Sequence, residues 1–535
     1  MVAEGTRRSG TGPELTRIGE QIQQEYVGCT SASATAFDRA RKSMPGGDTR
    51  TVAFHPPYPL TIVKGQGYTL TDLDGNTYID VLNNYTSLIH GHAFAPITEA
   101  VTTQLQFGTN YAAALEAQAE LAERLTSRVK SVDKVRFTNS GTEATMMAIR
   151  GARAFTGREL IVKMEGGYHG TFDDFEVSMH PSVDSGPDGF PIPTIDTRGV
   201  PQNRLETVTV IPFNDVAAAE RIFAERGQEI AAVILEPVMG SAGMIPAEPA
   251  FLQTLRDLTT KNGALLMFDE VMAFRLGYGG MQGNYGIYPD ITSFAKIMSG
   301  GLPGGAFGGT DEVMSIFDPF SKEPLWQSGT FNGNAITMVA GIAALDHYGA
   351  DEVERINTLG DQLRSRIGLM LDMYGFEATI TGYGSFGAIH FTSGPVRNYR
   401  DAARSNQQLK KVLHLALLQE GLEGQAREVL HQVAADIGGE GVGPGLAGMK
   451  AQRHLAQLVD EGLQRIAVAR VDVQAAVLGV HRVGRGACGQ QGAAIGQAAA
   501  VVQQLADGHG LARRNGAQAG AGGGARVPHA LAGPG

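Results

Sequence analysis

The chain is 535 residues long, which predicts two or more domains that share a large core. With 43% apolar and 19% charged residues its composition is that of a soluble globular protein, and no apolar run is long enough to cross a membrane. The net charge of −11 argues against nucleic acid as a partner, and two cysteines exclude a disulfide framework or a Cys-rich metal site, which favours a cytoplasmic location.

Residues 1–65 are expected to form an N-terminal segment ahead of the main domain. The first thirty or so residues are polar and unpatterned, and 32–43 predicts a helix that ends at a Pro-Gly-Gly turn. From residue 61 the sequence TIVKGQGYTLTDLDGNTYIDV alternates apolar and polar residues, which predicts strands joined by tight turns.

Residues 66–345 predict a large α/β domain, because short apolar strands alternate with helical patterns. The alternation indicates crossover connections and a mostly parallel sheet covered by helices on both faces. In such sheets ligands bind beyond the carboxyl ends of the strands, so the residues just after each strand are the functional candidates. The strands predicted in this region are 135–138, 160–164, 207–211, 232–235 and 265–268.

Residues 346–420 predict a smaller α+β domain, with a long helix through 355–371, a strand in 384–392 and a helix through 408–418. Beyond it the composition changes, because 421–535 contains no Phe, Tyr, Trp, Ser or Thr and is rich in Ala and Gly. A segment without aromatic residues has little with which to fill a core. This tail is therefore expected to be disordered, or to be the product of a shifted reading frame.

Two residues next to predicted strands carry the first chemical signal. Lys296 follows an apolar run and precedes a glycine-rich loop, and Asp269 ends the strand LLMFD. Taken singly, the lysine is also compatible with a solvated surface residue and the aspartate with a structural strand end. A carboxylate among apolar neighbours is costly unless a cation or several donors pair with it. A protonated pyridine nitrogen is such a cation, and pyridoxal phosphate (PLP) chemistry requires both this partner and a lysine that forms a Schiff base.

The segment NSGTEA directly follows the first strand of the large domain and opens a helix. The N–H groups at a helix N-terminus, with the helix dipole behind them, form a site for an anion such as a phosphate ester. Gly141 and Thr142 are the expected contacts, although the segment is also compatible with an ordinary helix cap.

Two further loops suit a flat, phosphorylated cofactor. In GGYHG the glycines allow close approach, and Tyr168 or His169 offers a flat face to a ring. In SGTFNGN the Thr330 hydroxyl would donate to a phosphate, or the segment is simply a polar turn.

In their order and spacing, the motifs NSGTEA, GGYHG, EPVMG, FDEV, FAK with GGLPGGAFGG, and SGTFNGN closely resemble those of the class III, fold-type I PLP aminotransferases. The resemblance runs from about residue 44 to residue 420. It implies a fold-type I PLP transferase, with a large sheet domain and a small α+β domain. It also implies a homodimer with two-fold symmetry and active sites at the subunit interface.

The same resemblance implies a role for each site residue. Lys296 would carry the cofactor as a Schiff base, and Asp269 would pair with the pyridine nitrogen. The other cofactor-binding positions it implies are Ser140, Gly141 and Thr142 at the phosphate, Tyr168 and Val271 on the two faces of the ring, His169 and Glu236 within the same site, and Thr330 at the phosphate of the neighbouring subunit.

The substrate is expected to be an amino acid. In MPGGDTRTVAFHPPYPLTI and NNYTSLIHGH the chain is most similar to β-amino-acid aminotransferases such as the β-phenylalanine enzymes, which implies that Arg50 binds a substrate carboxylate and that Tyr85 lines the pocket. Arg50 is otherwise compatible with a surface arginine. We therefore expect amino transfer from a β-amino acid to a 2-oxo acid. Glutamate-1-semialdehyde aminomutases share the GGLPGGAFGG-type loop, which leaves that activity as an alternative.

The sequence departs from this family after LLQEG. Relatives continue with a short strand, a Pro-Arg-Gly turn and a last helix, whereas this chain continues EGQAREVLHQVAADIGGEG, with no recognisable counterpart. The departure leaves a third alternative open, a protein that binds PLP but has impaired catalysis.

Overall fold

The structure, a computed structural model, describes residues 13–424. Its strands are β1 Ile62–Gln66, β2 Thr69–Asp72, β3 Thr77–Asp80, β4 Lys134–Thr138, β5 Leu160–Met164, β6 Val208–Ile211, β7 Ile230–Leu235, β8 Val238–Met239, β9 Ile245–Pro246, β10 Leu265–Asp269, β11 Ile291–Ala295, β12 Gly305–Gly309, β13 Thr379–Thr381, β14 Ala388–His390 and β15 Leu422–Glu423. Its helices are α1 Pro13–Cys29, α2 Ser31–Ala40, α3 Asn83–Thr86, α4 Ala95–Leu105, α5 Glu116–Arg128, α6 Gly141–Thr156, α7 Arg204–Thr207, α8 Val216–Arg226, α9 Pro249–Asn262, α10 Met281–Tyr285, α11 Asp311–Met314, α12 Ala335–Asp346, α13 Ala350–Met373, α14 Tyr399–Ala403 and α15 Gln407–Gln419.

A seven-stranded sheet of order β4-β12-β11-β10-β7-β5-β6 forms the centre of the large domain. The five strands from β11 to β6 pair in parallel, and β12 runs antiparallel to both β11 and β4. Because β12 is the one reversed strand of this sheet, β4 points in the same direction as the other five. The predicted mostly parallel α/β sheet is confirmed.

The inner strands are buried on both faces because helices cover both. Strand β7, with the sequence IAAVIL, has no exposed residue, which is the continuous apolar pattern of a doubly covered parallel strand. On one face, Phe223 of α8 and Phe251 of α9 pack in a single apolar cluster with sheet residues. On the other face, Ala148 and Ile149 of α6 do the same. The sheet is therefore a rigid support for the loops at its edge.

The start of the chain corrects the prediction that its first thirty residues are unpatterned. Residues Pro13–Cys29 form helix α1, and its buried side chains Leu15, Ile18, Ile22 and Tyr26 recur every three or four positions along one face. This face packs in one apolar cluster with residues of α13 and α15. The abundant polar residues on the opposite face obscured the pattern.

A four-stranded sheet joins the N-terminal part of the chain to residues that follow α15. Strands β1, β2 and β3 form the predicted antiparallel hairpins, and β15 pairs in parallel with β3, Leu422 opposite Ile79. A two-residue strand, β15, therefore directly follows LLQEG, the point after which a short strand is expected in the relatives.

The second region also contains the predicted helices, as α13 and α15, and the predicted strand, as β14, which pairs with β13. The proposed boundaries at residues 65, 345 and 420 stay predictions. Of the predicted Ala/Gly-rich tail, residues 425–535 lie outside the described part of the chain. No helix within residues 13–424 is long and apolar enough to cross a membrane.

Candidate active site

Five strands of the central sheet end at the same edge, and a polar residue with a candidate role stands at or near each end. Because β4, β5, β7, β10 and β11 all point the same way, their carboxyl ends meet along one edge. The residues there are Ser140 after β4, His169 after β5, Glu236 after β7, Asp269 at the end of β10 and Lys296 after β11.

Asp269 lies at the centre of this edge and is 4% exposed. Its Oδ2 accepts a hydrogen bond from His169 Nδ1 at 2.8 Å, and its Oδ1 accepts from Ser293 Oγ at 3.1 Å and from the backbone N–H of Val271 at 3.1 Å. Three donors thus hold the carboxylate in one orientation. These three hydrogen bonds offset part of the cost of burying the Asp269 carboxylate.

His169 is fully enclosed, and burial lowers the pKa of its imidazole, with the Asp269 carboxylate opposing the shift. A neutral imidazole that donates from Nδ1 to a carboxylate has its other nitrogen, Nε2, as an acceptor. Among the described residues His169 Nε2 has no hydrogen-bond partner, although it is buried. The histidine therefore orients Asp269 and leaves one hydrogen-bonding position open at the site.

Helix α6 presents its N-terminus to the same edge. Ser140 is the N-cap and accepts from the backbone N–H of Glu143 at 3.2 Å, while Glu143 Oε2 accepts from the N–H of Asn139 at 2.8 Å. Ser140 therefore caps α6, as expected of an ordinary helix cap, and Glu143 holds the residue before the cap, Asn139. The anion site expected at the first N–H groups of this helix stays a prediction.

Two glycines allow close approach at this helix end. A Cβ on Gly141 would come within 3.1 Å of the Val271 side chain and 3.4 Å of Ala295 Cβ. Gly170 has φ 99° and lies directly against Thr142, where any side chain would collide. The glycines therefore bring the helix N-terminus, the GGYHG loop and the strand ends close together.

Glu236 connects two of these loops. Its Oε1 accepts from the backbone N–H of Tyr168 at 3.2 Å and its Oε2 from that of Gly240 at 3.0 Å. Burial raises the pKa of Glu236 to about 8, the nearby Asp269 charge adds to the increase, and the two backbone donors and Lys296 oppose it. The Tyr168 side chain itself is 42% exposed and available to contact a ligand.

Lys296 begins a short 3-10 turn that follows β11. Its backbone has φ 54°, an uncommon conformation for a residue other than glycine, and its carbonyl accepts from Ser299 Oγ at 3.0 Å and from the N–H of Gly301 at 3.2 Å. These bonds hold the sharp turn at the point where the lysine leaves the strand.

Arg50 and Tyr85 lie together, and their role in a substrate pocket stays a prediction. The guanidinium carbon of Arg50 lies 5.7 Å from the centre of the Tyr85 ring, and Arg50 Nη1 donates to Asn84 Oδ1 at 2.8 Å. Residues 83–88 also pack against the loop that follows Lys296, because Leu88 contacts Gly301. The pair is thus joined to the lysine turn through one short segment.

The turn that carries Tyr85 has an unusual backbone. All four residues of α3 have positive φ, between 47° and 71°, and none is glycine. Each such residue costs on the order of 1–2 kcal/mol. Asp80 stabilises the entry to the turn, because its Oδ1 accepts from the N–H groups of Leu82 at 2.9 Å and Asn83 at 2.7 Å.

Thr330 is exposed, and its carbonyl accepts from Asn110 Nδ2 at 2.7 Å. The same loop reaches the α6 N-terminus of its own chain, where Asn332 Oδ1 accepts from Asn139 Nδ2 at 2.8 Å. The contact of Thr330 with a phosphate in the neighbouring subunit stays a prediction.

The motif search missed Ser293 and Asn139 as site residues. Ser293 lies opposite Asp269 in the β10–β11 register, inside the strand rather than after it. Asn139 was within reach of sequence reasoning because it opens NSGTEA, but its bond to Asn332 depends on a loop distant in sequence.

Comparison with known proteins agrees with this arrangement. Residues 52–426 match the family model for aminotransferase class-III. A glutamate-1-semialdehyde 2,1-aminomutase from Sorangium cellulosum is 41% identical over 395 residues, which are 73% of this chain and 89% of that protein. A β-phenylalanine transaminase from Variovorax paradoxus is 38% identical over 405 residues, which are 76% of this chain and 88% of that protein.

Solved structures give the same result. An omega-transaminase from Sphaerobacter thermophilus superposes with a TM-score of 0.77 at 43% identity, over 81% of this chain and 98% of that one. A transaminase with PLP bound superposes with a TM-score of 0.74 at 34% identity, over 82% of this chain and 99% of that one. The chain therefore belongs to the class III aminotransferases.

Proposed function

We propose that this protein is a PLP-dependent aminotransferase that moves the amino group of a β-amino acid to a 2-oxo acid. The observation that carries the substrate class is the Arg50–Asn84–Tyr85 group, since a guanidinium fork binds a carboxylate with two parallel hydrogen bonds. The segment that contains Asn84 and Tyr85 reaches the loop after Lys296 through Leu88. The likeness to the β-phenylalanine transaminase, which acts on a β-amino acid, supports the same assignment.

The strand-end residues fit the cofactor that the family implies. An anion site at the α6 N-terminus, with Ser140, Gly141 and Thr142, suits a phosphate ester, and the close approach of Gly141 to Val271 makes it narrow. Asp269 offers a fixed, buried carboxylate to a protonated ring nitrogen. When bound, PLP supplies an electron sink for the carbon that bears the amino group.

The chain's own residues then divide the work. Lys296 would bind the cofactor and, as a free amine, take the proton from the substrate carbon and return it to the product. Tyr168 and Val271 would enclose the ring, and Glu236, with its pKa raised to about 8, would add a largely neutral group beside Asp269 at pH 7. Arg50 would hold the substrate carboxylate and Tyr85 would line the pocket.

A homodimer is part of this proposal. Three aromatic side chains in and before the SGTFNGN loop are exposed although apolar: Phe320 by 96%, Trp326 by 81% and Phe331 by 61%. Large aromatic side chains that are exposed on one protein chain are typical of an interface with another. The proposed location is the cytoplasm, on the strength of the cysteine content alone.

The second candidate, a glutamate-1-semialdehyde aminomutase, is favoured by the 41% identity to the Sorangium enzyme. The third, impaired catalysis with cofactor binding retained, depends on residues beyond 424. The experiment is a substrate panel with purified holoenzyme: β-phenylalanine plus 2-oxoglutarate, and glutamate-1-semialdehyde alone.

The proposed function predicts that 2-oxoglutarate is converted to glutamate with β-phenylalanine as the amino donor. Lys296→Ala should show no turnover, because that variant lacks the amine that moves the proton. Conversion of the semialdehyde without any β-amino acid activity would favour the aminomutase. A cofactor absorption band with no turnover of either substrate would favour the impaired protein.

A further inference from the structure

Arg275 is a fully buried arginine outside the strand-end site. It lies in the 3-10 turn Ala273–Leu276, which follows β10, and it is 0% exposed. Within residues 13–424, no hydrogen-bond acceptor reaches its Nε, Nη1 or Nη2. The guanidinium therefore has three nitrogens without a partner in the described protein.

A buried guanidinium in this state carries an uncompensated charge. Burial lowers the pKa of Arg275 only to about 10, so the group is protonated at neutral pH. Isolated charges are very costly in protein interiors, and buried ions are found paired with a counter-ion. Among the described residues, no carboxylate forms an ion pair with Arg275.

The surroundings of Arg275 have an excess of positive charge. Tyr348 lies within electrostatic range of Arg275, and its hydroxyl already donates to the Arg275 carbonyl at 2.7 Å. Tyr348 also lies within electrostatic range of Arg128, which is 8% exposed and whose Nη2 has no acceptor in residues 13–424. The carboxylate in that range, Glu352, is already paired with Arg355 at 2.5 Å.

The Phe386 ring and two apolar residues of its own turn lie around Arg275. The guanidinium carbon lies over the Phe386 ring at 5.5 Å, so one face of the guanidinium is covered and its N–H groups point along its edge. Ala273 and Leu276 of the same turn are in an apolar cluster with Phe386. The hydroxyl of Ser385, next along the chain, is also buried without a partner in the described part of the protein.

We propose that Arg275 binds a small monovalent inorganic anion, chloride in the cell, buried between the turn at residues 273–276 and the segment at 382–386. A halide ion supplies the missing negative charge, accepts hydrogen bonds from several N–H groups at once, and can lie against apolar side chains. Water would satisfy the hydrogen bonds but would leave the charge uncompensated.

The test compares three holoenzymes: the wild type, Arg275→Met, which keeps the length of the side chain without its charge, and Arg150→Met, an exposed matched control. Melting temperature is measured in sodium gluconate and in sodium chloride at equal ionic strength. If chloride binds only to the folded protein, the melting temperature of the wild type and of Arg150→Met should be about 2 °C or more higher in chloride than in gluconate. Arg275→Met should show no such rise.

A second measurement holds even if Arg275→Met fails to fold. Crystals of the wild type grown in sodium bromide should give an anomalous peak within hydrogen-bond distance of the Arg275 guanidinium. Water at that position with no bromide peak would overturn the proposal. So would a chloride effect in Arg275→Met equal to that of the wild type.

Discussion

Removing the side chain of Arg50 tests the substrate pocket directly. If Arg50 binds the carboxylate, Arg50→Ala removes a charge-assisted contact worth about 2–3 kcal/mol, which is roughly a 30- to 150-fold loss in kcat/KM. Arg50 Nη1 is held by Asn84 Oδ1 at 2.8 Å, so Asn84→Ala removes only an orienting bond of about 0.5–1.5 kcal/mol. The kcat/KM of Asn84→Ala should therefore be lower by roughly two- to tenfold.

The assay measures initial rates with β-phenylalanine and 2-oxoglutarate, together with the absorbance of the bound cofactor. A matched control is Arg41→Ala, since Arg41 is also exposed in the N-terminal region but lies over the Phe37 ring, away from Tyr85. Cofactor loading should be unchanged in all three variants, because none of them alters a strand-end residue.

A second substrate separates binding of the carboxylate from general damage. A phenylalkylamine of the same length without a carboxylate should react equally with the wild type and Arg50→Ala. If the kcat/KM of Arg50→Ala falls by the same factor for both substrates, Arg50 maintains the fold of the pocket rather than binding the carboxylate. An unchanged kcat/KM for every carboxylate substrate would remove Arg50 from the site.

Three further predictions concern the strand-end site, the first helix and a buried histidine pair. Asp269→Asn should retain PLP but lower kcat on the order of a hundredfold or more, and Ser293→Ala should lower kcat about fivefold. Near-normal turnover by Asp269→Asn would exclude pairing of this carboxylate with the ring nitrogen. Ile22→Ala in α1 should lower the free energy of unfolding by about 2–5 kcal/mol in denaturant titration, and exposed Gln23→Ala should leave it nearly unchanged. Burial lowers the pKa of His55 to about 4 and that of His414 to about 3. Because both pKa values are about 6.5 in the unfolded chain, the two histidines do not lower the free energy of unfolding above that pH. As the pH falls from about 6.5 towards 4, the free energy of unfolding should decrease by up to about 1.4 kcal/mol per histidine for each pH unit. His55→Leu should flatten that dependence, and equal slopes would contradict the assignment.

The positions of the strand-end residues could be predicted from the sequence better than their contacts could. Lys296 and Asp269 were predictable because parallel strands bring their carboxyl ends together, so local position was enough. Ser293 was not, because its contact with Asp269 depends on the register between two strands distant in sequence. The left-handed turn of α3 was also beyond prediction, since four consecutive non-glycine residues with positive φ contradict local preference and depend on tertiary contacts such as those of Asp80.

Helix α1 shows the opposite failure. Its buried residues do follow a helical spacing, but they are separated by enough polar residues that the segment read as irregular. What identifies α1 is its partner, α15, almost 400 residues later in the chain. A pattern of that kind has meaning only when both helices are considered together.

The packing of α1 against α15 has a consequence for the order of events during synthesis. The last strand of the central sheet ends at Gly309, so the large domain can fold while the ribosome is still translating. Helix α1 leaves the ribosome first, yet at 5–20 residues per second its partner follows roughly 20–80 s later. For that interval the part of the apolar face of α1 that packs against α15 stays uncovered, although Tyr26 can already contact Tyr58, so the nascent chain exposes apolar surface that the folded protein buries.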